Sequence, residues 1–295
     1  MQIRRLTEAD HDALVALRIP AFGSPGAVPG GRVEHPAFER WGLFLGAELV
    51  ATASRKPYHS WFGGTQVPTA GIAGVAIAPE HRGRGLLRPL MEQVLADARD
   101  QGDVVSTLFA SDTGIYRSLG YRTVGAMDTI AVPTASLRHF GRRHDLRRAT
   151  ADDVPTIKRL YAAWARRHDG PLTRGSAEFV DDVWLADLTA VTLVLDGAGE
   201  PIAYAGWNRS PGDGAGAFVD AEDVIWTDPA ALESLLWMFG TFSTVAPTVS
   251  FDTSGDELTS VLAEFALRHH RPYDLLVLDP EFAAPPGPVL IRDYF

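Results

Sequence analysis

The chain has 295 residues, 46% of them hydrophobic and 22% charged, with no cysteine and a formal net charge of −10. That describes a globular protein with room for two cores of about 150 residues. It excludes disulfides, thiolate metal sites and a cysteine nucleophile, and it argues against nucleic acid as a partner. No apolar run reaches the roughly 20 residues of a membrane helix, and Met1-Gln2-Ile3-Arg4-Arg5 has no hydrophobic signal core behind it. The expected location is the cytoplasm, with no membrane partner.

In chain order, Ile3 to Arg5 reads as a strand, and Thr7 with Asp10 is close to a capping box for a helix carrying Leu14, Val15 and Leu17. Ile19 to His35 is a loop rich in proline and glycine, long enough to be disordered or to cover a substrate site. Trp41–Gly46, Glu48–Lys56 and Thr65–Ala78 read as antiparallel strands with turns at Gly46-Ala47 and Gly63-Gly64. Thr69 to Ala78 is nearly free of charge, and Pro79 stops it. Arg82 to Gly85 is then a turn whose glycines let backbone N–H groups approach a ligand, and a helix starts at Leu86 with its anion-favouring end forward. A strand over 104–110, a short helix over 112–119 and a strand from Arg122 to Val132 complete a first domain, 1–133.

Residues 134–148 form a basic connector, and 149–280 read as a second domain. A helix opens at Asp152 and runs to about Arg167. Strands follow at Leu188–Asp196, Pro201–Arg209 and Ala217–Trp226, then a helix at 230–241, a strand at Thr248–Asp252, a helix at 255–268 and a closing strand at Leu275–Leu278. The order of the first half repeats, but Thr227-Asp228-Pro229 follows the equivalent strand with neither arginine nor glycine for a phosphate. Residues 281–295 are a tail stiffened by Pro285-Pro286-Gly287-Pro288 and ending in Tyr294-Phe295.

The strand, turn and helix over 71–88 admit three nucleotide readings. A Walker loop needs a lysine and a hydroxyl that are missing here, and a Gly-x-Gly-x-x-Gly fingerprint fails at its third glycine, where Arg88 stands. What remains, Arg82-x-x-Gly85-x-Leu87, resembles the pyrophosphate loop of the GNAT acetyltransferases. The run His81-Arg82-x-Arg84-Gly85-Leu86-Leu87-Arg88-x-Leu90-Met91 is similar to the Eis subfamily of aminoglycoside and amine acetyltransferases, as is Ser111-x-x-Gly114-Ile115-Tyr116-x-x-x-Gly120-Tyr121. The two motifs cover about residues 70–125.

The resemblance implies an α/β (α+β) fold of tandem GNAT domains, each a mixed, mostly antiparallel sheet flanked by helices. It implies acetyl-CoA held by Val75, Ala76, Ile77, Arg82, Gly83, Arg84, Gly85, Leu86, Leu87 and Ser111, and a direct transfer to an amine of a cationic small molecule. A homo-oligomer is compatible with it. Tyr116 matches the family's general acid, and a tyrosine is protonated at neutral pH and able to donate to a departing thiolate. Tyr121 fits packing better. In the family the carboxylate of a terminal phenylalanine is the base, a role that falls on Phe295, whereas Glu80, His81 and Asp112 suit solvent or a helix cap. Trp41, Trp61, Glu34, Glu39 and Asp293 are the candidates for the acceptor pocket.

Two features depart from the family: position 87 is leucine, and its usual third domain does not follow the second core. Two-domain relatives resembling mycothiol synthase keep their cofactor site in the C-terminal half, and here it is in the N-terminal half. The charge distribution agrees with this placement, since residues 1–145 carry 16 Lys and Arg against 14 Asp and Glu, and residues 146–295 carry 11 against 23. The polyanionic cofactor belongs with the less acidic half, and the acidic half suits a cationic acceptor. The nine histidines show no His-Glu-x-x-His or comparable spacing, so no metal is expected. The alternative to an enzyme is a non-catalytic, GNAT-derived sensor of acyl-CoA.

Overall fold

The structure, a computed structural model, describes residues 1–23, 33, 37–110, 112–175, 187–254 and 256–278. Its strands are β1 (Gln2–Arg5), β2 (Glu39–Leu45), β3 (Glu48–Phe62), β4 (Thr65–Ile77), β5 (Val105–Ala110), β6 (Arg122–Pro133), β7 (Asp145–Arg148), β8 (Ala190–Leu195), β9 (Pro201–Arg209), β10 (Phe218–Trp226), β11 (Thr248–Thr253) and β12 (Arg268–Leu278). The described α-helices are α1 (His11–Phe22), α2 (Leu87–Asp100), α3 (Thr113–Arg117), α4 (Val154–Ala165), α5 (Pro229–Gly240) and α6 (Asp256–Ala263).

Each half opens with the same local device. Arg4 donates two bonds of 2.7 Å to Asp10, whose carboxylate also accepts from the Thr7 backbone at 2.9 Å. Arg147 holds Asp153 at 2.8 and 2.7 Å, and Asp153 accepts from the Thr150 backbone at 2.8 Å. In both places an arginine on the first strand and a capping box fix the entry of α1 and α4. The guanidinium partner holds both carboxyls well below the usual carboxylate range.

Twelve strands form one sheet in the order β1-β2-β3-β4-β5-β12-β6-β11-β10-β9-β8-β7. The expected closing strand of the second domain, Leu275–Leu278, begins at Arg268 and lies inside the first half, antiparallel to both β5 and β6. Beyond it, β6 pairs antiparallel with β11, so the halves share one continuous sheet. Their cores lie against both faces. On one face α2 covers Leu43, Ala53, Ile72, Leu108 and Leu276, while α5 covers Val219, Ala221, Val249 and Phe251. On the other, α1 packs Leu14 and Leu17 on Phe44, Leu49 and Ala76, and α4 packs Ile157, Tyr161 and Trp164 on Leu193, Tyr204 and Ile225.

The tip of the long β3–β4 hairpin reaches the second half. Trp61 N–H donates to Pro171 at 2.8 Å, Thr173 N–H to His59 at 2.7 Å, and Gly63 N–H to the Asp169 carboxylate at 2.6 Å. Arg174 anchors the same segment through a buried pair with Asp223, which also accepts from the Tyr204 hydroxyl at 2.6 Å.

Candidate active site

β4 and β5 run parallel and pair only over Thr69–Gly71 with Val105–Thr107. Past that point β5 keeps only its other neighbour, β12, and Ile72 to Ile77 keep only their β3 neighbours. The register shift opposite Thr52 and Ser54 leaves Gly74 and Val75 as a bulge, with Gly74 at φ +58°. The result is a wedge through the sheet with backbone N–H groups along its β4 side.

A cleft of about 850 Å³ occupies the wedge. Of the residues expected at the donor site, Val75, Ala76, Ile77, Arg82, Gly83, Gly85, Leu86, Leu87 and Tyr116 line it. Ala21, Phe22, Phe109 and Ile115 also line it, and nothing in the motifs singles them out. Leu86 and Leu87 belong to the α2 face; Phe22 and Phe109 belong to the α1 face. The cleft is therefore reachable from both sides of the sheet.

At its α2 end, Gly83 and Gly85 both have φ +74°, and a Cβ on either would meet nothing within 4 Å. Glycine is there for its conformation, and the open space beside it is where an anion can approach. Leu86 is the N-cap of α2 and makes no side-chain cap, so the first-turn N–H groups face that space uncapped. At α5 the Asp228 carboxylate caps the helix, accepting from Ala231 N–H at 3.0 Å. A pyrophosphate fits the first helix end and would meet a carboxylate at the second.

Arg82 lies over the strand end, with its Nε 3.4 Å from the Ile77 carbonyl. Arg84 departs from expectation: it does not line the cleft, and it bonds His81 Nδ1 at 2.7 Å on the exposed side of the turn. For Gly85→Ala the expected result is retained folding and a roughly tenfold weaker acetyl-CoA affinity by calorimetry, because a side chain in the left-handed region costs about 1–2 kcal/mol.

Asp112 caps α3 by accepting from Gly114 N–H at 2.8 Å, which sets Tyr116 one turn in. The half-buried Tyr116 ring stands edge-on to Tyr121 at 5.9 Å. Burial raises the Tyr116 hydroxyl pKa above its ordinary value, so it stays protonated. Tyr121 is fully buried with its hydroxyl 2.8 Å from Ser106 Oγ, a packing role.

The acceptor-pocket expectations fare differently. Trp41 is 6% exposed and packs in the α2 core, with Arg5 over its ring. Glu39 pairs with Arg5 and Arg55 at 3.2 Å each, beneath the end of α2. Trp61 packs against the α4 core at the junction of the halves. None of the three lines the cleft; core packing and ion pairing claim them instead. Glu34, Ser111, Asp293 and Phe295 lie outside the described residues.

Sequence reasoning also passed over an acidic group on the α1 and α4 face. Asp220 and Glu222 on β10 stand beside Asp252 on β11, with Asn208 donating to Glu222 at 2.6 Å and Thr129 to Asp252 at 2.7 Å. Burial first, then Asp252 and Glu222, push the Asp220 carboxyl up to about 6, and burial also raises Glu222. The acids are far apart in sequence, and only the β10–β11 pairing unites them.

A wedge between parallel strands, an open glycine turn and an uncapped helix end together make a cleft suited to an anionic ligand. Residues 2–124 match the acetyltransferase (GNAT) domain family, and this part of the chain is a GNAT acetyltransferase domain. An uncharacterized N-acetyltransferase of Streptomyces coelicolor is 29% identical over 191 residues, 60% of this chain and 46% of that protein. N-acetyltransferase Eis of Mycobacterium tuberculosis is 39% identical over 106 residues, 36% of this chain and 25% of that protein. The matched parts span less than half the length of these curated relatives. The crystal structure of a GCN5-related N-acetyltransferase from Kribbella flavida shares 29% identity at a TM-score of 0.76, covering 94% of this chain and 70% of that one. Its coverage extends the tandem GNAT fold through the second half.

Proposed function

We propose that the chain is an acetyl-CoA-dependent N-acetyltransferase acting on an amine of a cationic small molecule, aminoglycoside-like or polyamine, by direct transfer. The observation that carries this reading is the cleft open to both faces of the sheet, with an anion-receiving turn on the α2 face and Phe22 and Phe109 on the other. Donor and acceptor can occupy it together. When bound, acetyl-CoA supplies the acetyl thioester. The β4 bulge would present N–H groups to the carbonyl oxygen as charge develops there, and the Tyr116 hydroxyl would supply the proton for the departing sulfur.

Asp220, Glu222 and Asp252 support a cationic acceptor. They lie on the acceptor-side face, about 20 Å from Phe109 by strand spacing and rise, a span that suits an elongated molecule with several amines. Their mutual repulsion would be relieved by a cation. A non-catalytic acyl-CoA sensor would have no use for a protonated tyrosine in the cleft.

The test is a panel of polyamines, aminoglycosides and simple amines with acetyl-CoA. As the protein has no thiol, a thiol reagent reads coenzyme A release directly. Release with some amines and intersecting initial-velocity lines are expected, and no release with any of them would leave the sensor. The Phe295 carboxylate is the proposed base. Adding two glycines after Phe295 moves it by several ångströms and should remove most transfer while acetyl-CoA affinity holds. Full activity in the extended chain would place the base elsewhere.

A further inference from the structure

Past the β4 bulge the cleft is walled by carbon. Among the described residues that line it, Arg82 and Tyr116 alone carry polar side chains, and Arg82 sits back at the glycine turn. β4 treats its two faces differently. Ile72, Val75 and Ile77 pack in the α2 core, whereas Ala76 packs with Leu14 and Leu17 beneath α1, and a Cβ on Gly74 would stand 3.0 Å from Arg18 of α1. Ala21 of α1 packs on the same cluster as Ala76. Glycine and alanines therefore surround the bulge on the α1 face, with Phe22, Phe109 and Ile115 as the larger apolar groups of the lining. Phe22 and Ile115 remain 47% and 45% exposed. Large apolar side chains gathered at one cleft and left in water mark a surface that a ligand covers.

Either the body of the acceptor or the acyl substituent of the donor could cover this wall. It suits a cation badly: no described lining residue is a carboxylate, and Phe22 already has the Arg18 guanidinium 4.9 Å from its ring. The acyl substituent carries no charge. With the thioester carbonyl oxygen at the bulge N–H groups, the first carbons of that substituent would begin beside Gly74 and Ala76, where the side chains are smallest. An acetyl group ends there after one methyl. A cleft of about 850 Å³ is toward the upper end of sites that enclose a whole small ligand, and leaves room for a longer chain.

Resting on the N-acetyltransferase reading, we propose that the α1-side wall is an acyl pocket and that the enzyme takes donors longer than acetyl-CoA, from propionyl- to hexanoyl-CoA. The amine nitrogen forms a C–N bond to the acyl carbon as the C–S bond breaks. The sulfur takes the Tyr116 proton, the N–H proton leaves to solvent through the base, and solvent reprotonates the tyrosine. The chain stays on the product as a longer amide, and coenzyme A leaves as the thiol.

Calorimetry on the native protein measures its affinity for acetyl-, propionyl-, butyryl- and hexanoyl-CoA, and coenzyme A release with a responsive amine gives kcat/KM for the same donors. Each buried methylene is worth about fourfold, so affinity should rise by about tenfold or more from acetyl to butyryl, and kcat/KM with it. Ala21→Leu fills the narrow part of the pocket and Phe22→Ala removes a wall. In both, the butyryl-to-acetyl ratio of affinities should fall toward one. The ratio is read within each variant, so a loss of folding or of coenzyme A binding common to both donors cancels. Affinity that stays level or falls with chain length in the native protein would overturn the proposal and leave the acetyltransferase reading intact; a lower KM for arylalkylamines than for alkylamines would then give the wall to the acceptor. A native ratio in both variants would overturn it as well, by placing the chain elsewhere. Donors that bind with the expected gain but pass no acyl group to any amine would remove the transferase reading and keep the pocket.

Discussion

Tyr116→Phe should lower turnover by about 10²- to 10⁴-fold while acetyl-CoA binds as before. The substitution removes one oxygen and leaves the ring, so the edge-on contact with Tyr121 and the packing beneath α2 persist. In the proposed mechanism, what it deletes is the proton for the departing thiolate. Without it, sulfur must leave as an anion into a half-apolar cleft, or wait for a water that Phe109 and Ile115 help to exclude. The magnitude follows from the usual worth of a positioned acid. Stopped-flow transfer rates and calorimetric affinity for acetyl-CoA separate the two effects. An active Tyr116→Phe enzyme would reduce Tyr116 to a wall of the cleft. The burial that raises its pKa also predicts that Tyr116 does not limit the rate at high pH within the usual assay range, because the hydroxyl remains protonated beyond an ordinary tyrosine.

How much of this was legible follows from how local each feature is. The turn at Arg82–Gly85 and the helix behind it are fixed by neighbours in sequence: glycines reach φ +74°, Pro79 stops the strand, and Leu90, Met91 and Val94 bury one helix face. Such chemistry survives in a linear string. Trp41 and Glu39 misled because a tryptophan and a carboxylate suit an acceptor pocket by type, whereas Trp41 alternates with Leu43 on one side of β2 and so belongs to the core. Groupings that cross elements were hidden for a different reason. Phe22, Phe109 and Ile115 come from three elements, and only the fold brings them to one cleft. The acids of β10 and β11 are likewise joined by pairing across thirty residues. The two capping boxes, Arg4 with Asp10 and Arg147 with Asp153, are a repeat visible in the string itself.

Ending the chain after Leu267 should abolish acetyl-CoA binding, although every residue of the turn and of α2 would remain. β12 is an interior strand: it pairs with β5 from Ser106 to Ala110 and with β6 from Arg122 to Ala131. Removing it leaves two unpaired strand edges in the middle of the sheet and exposes the partners of Leu276, which is fully buried in the α2 core with Leu108 and Tyr121. Since β12 is the strand that holds the outer edge of β5 along Ser106–Ala110, the wedge that forms the cleft loses the support of its far wall. A fragment of residues 1–133, the unit that the sequence alone suggests, should fail for the same reason. Ending the chain after Leu278 keeps β12 and should preserve binding, which separates the strand from the residues that follow it. Leu276→Ala tests the same contact in the full chain. Loss of a buried leucine costs about 2–5 kcal/mol, whereas Leu267→Ala, at a residue 59% exposed, should change stability little. Denaturant unfolding reads the first pair of values, and acetyl-CoA calorimetry reads the truncations. A 1–133 fragment that folds and binds acetyl-CoA would show that the donor site is complete without the last strand. Loss of binding in that fragment would mean that the N-terminal domain is finished only when the chain returns from the second half to fill the gap between β5 and β6.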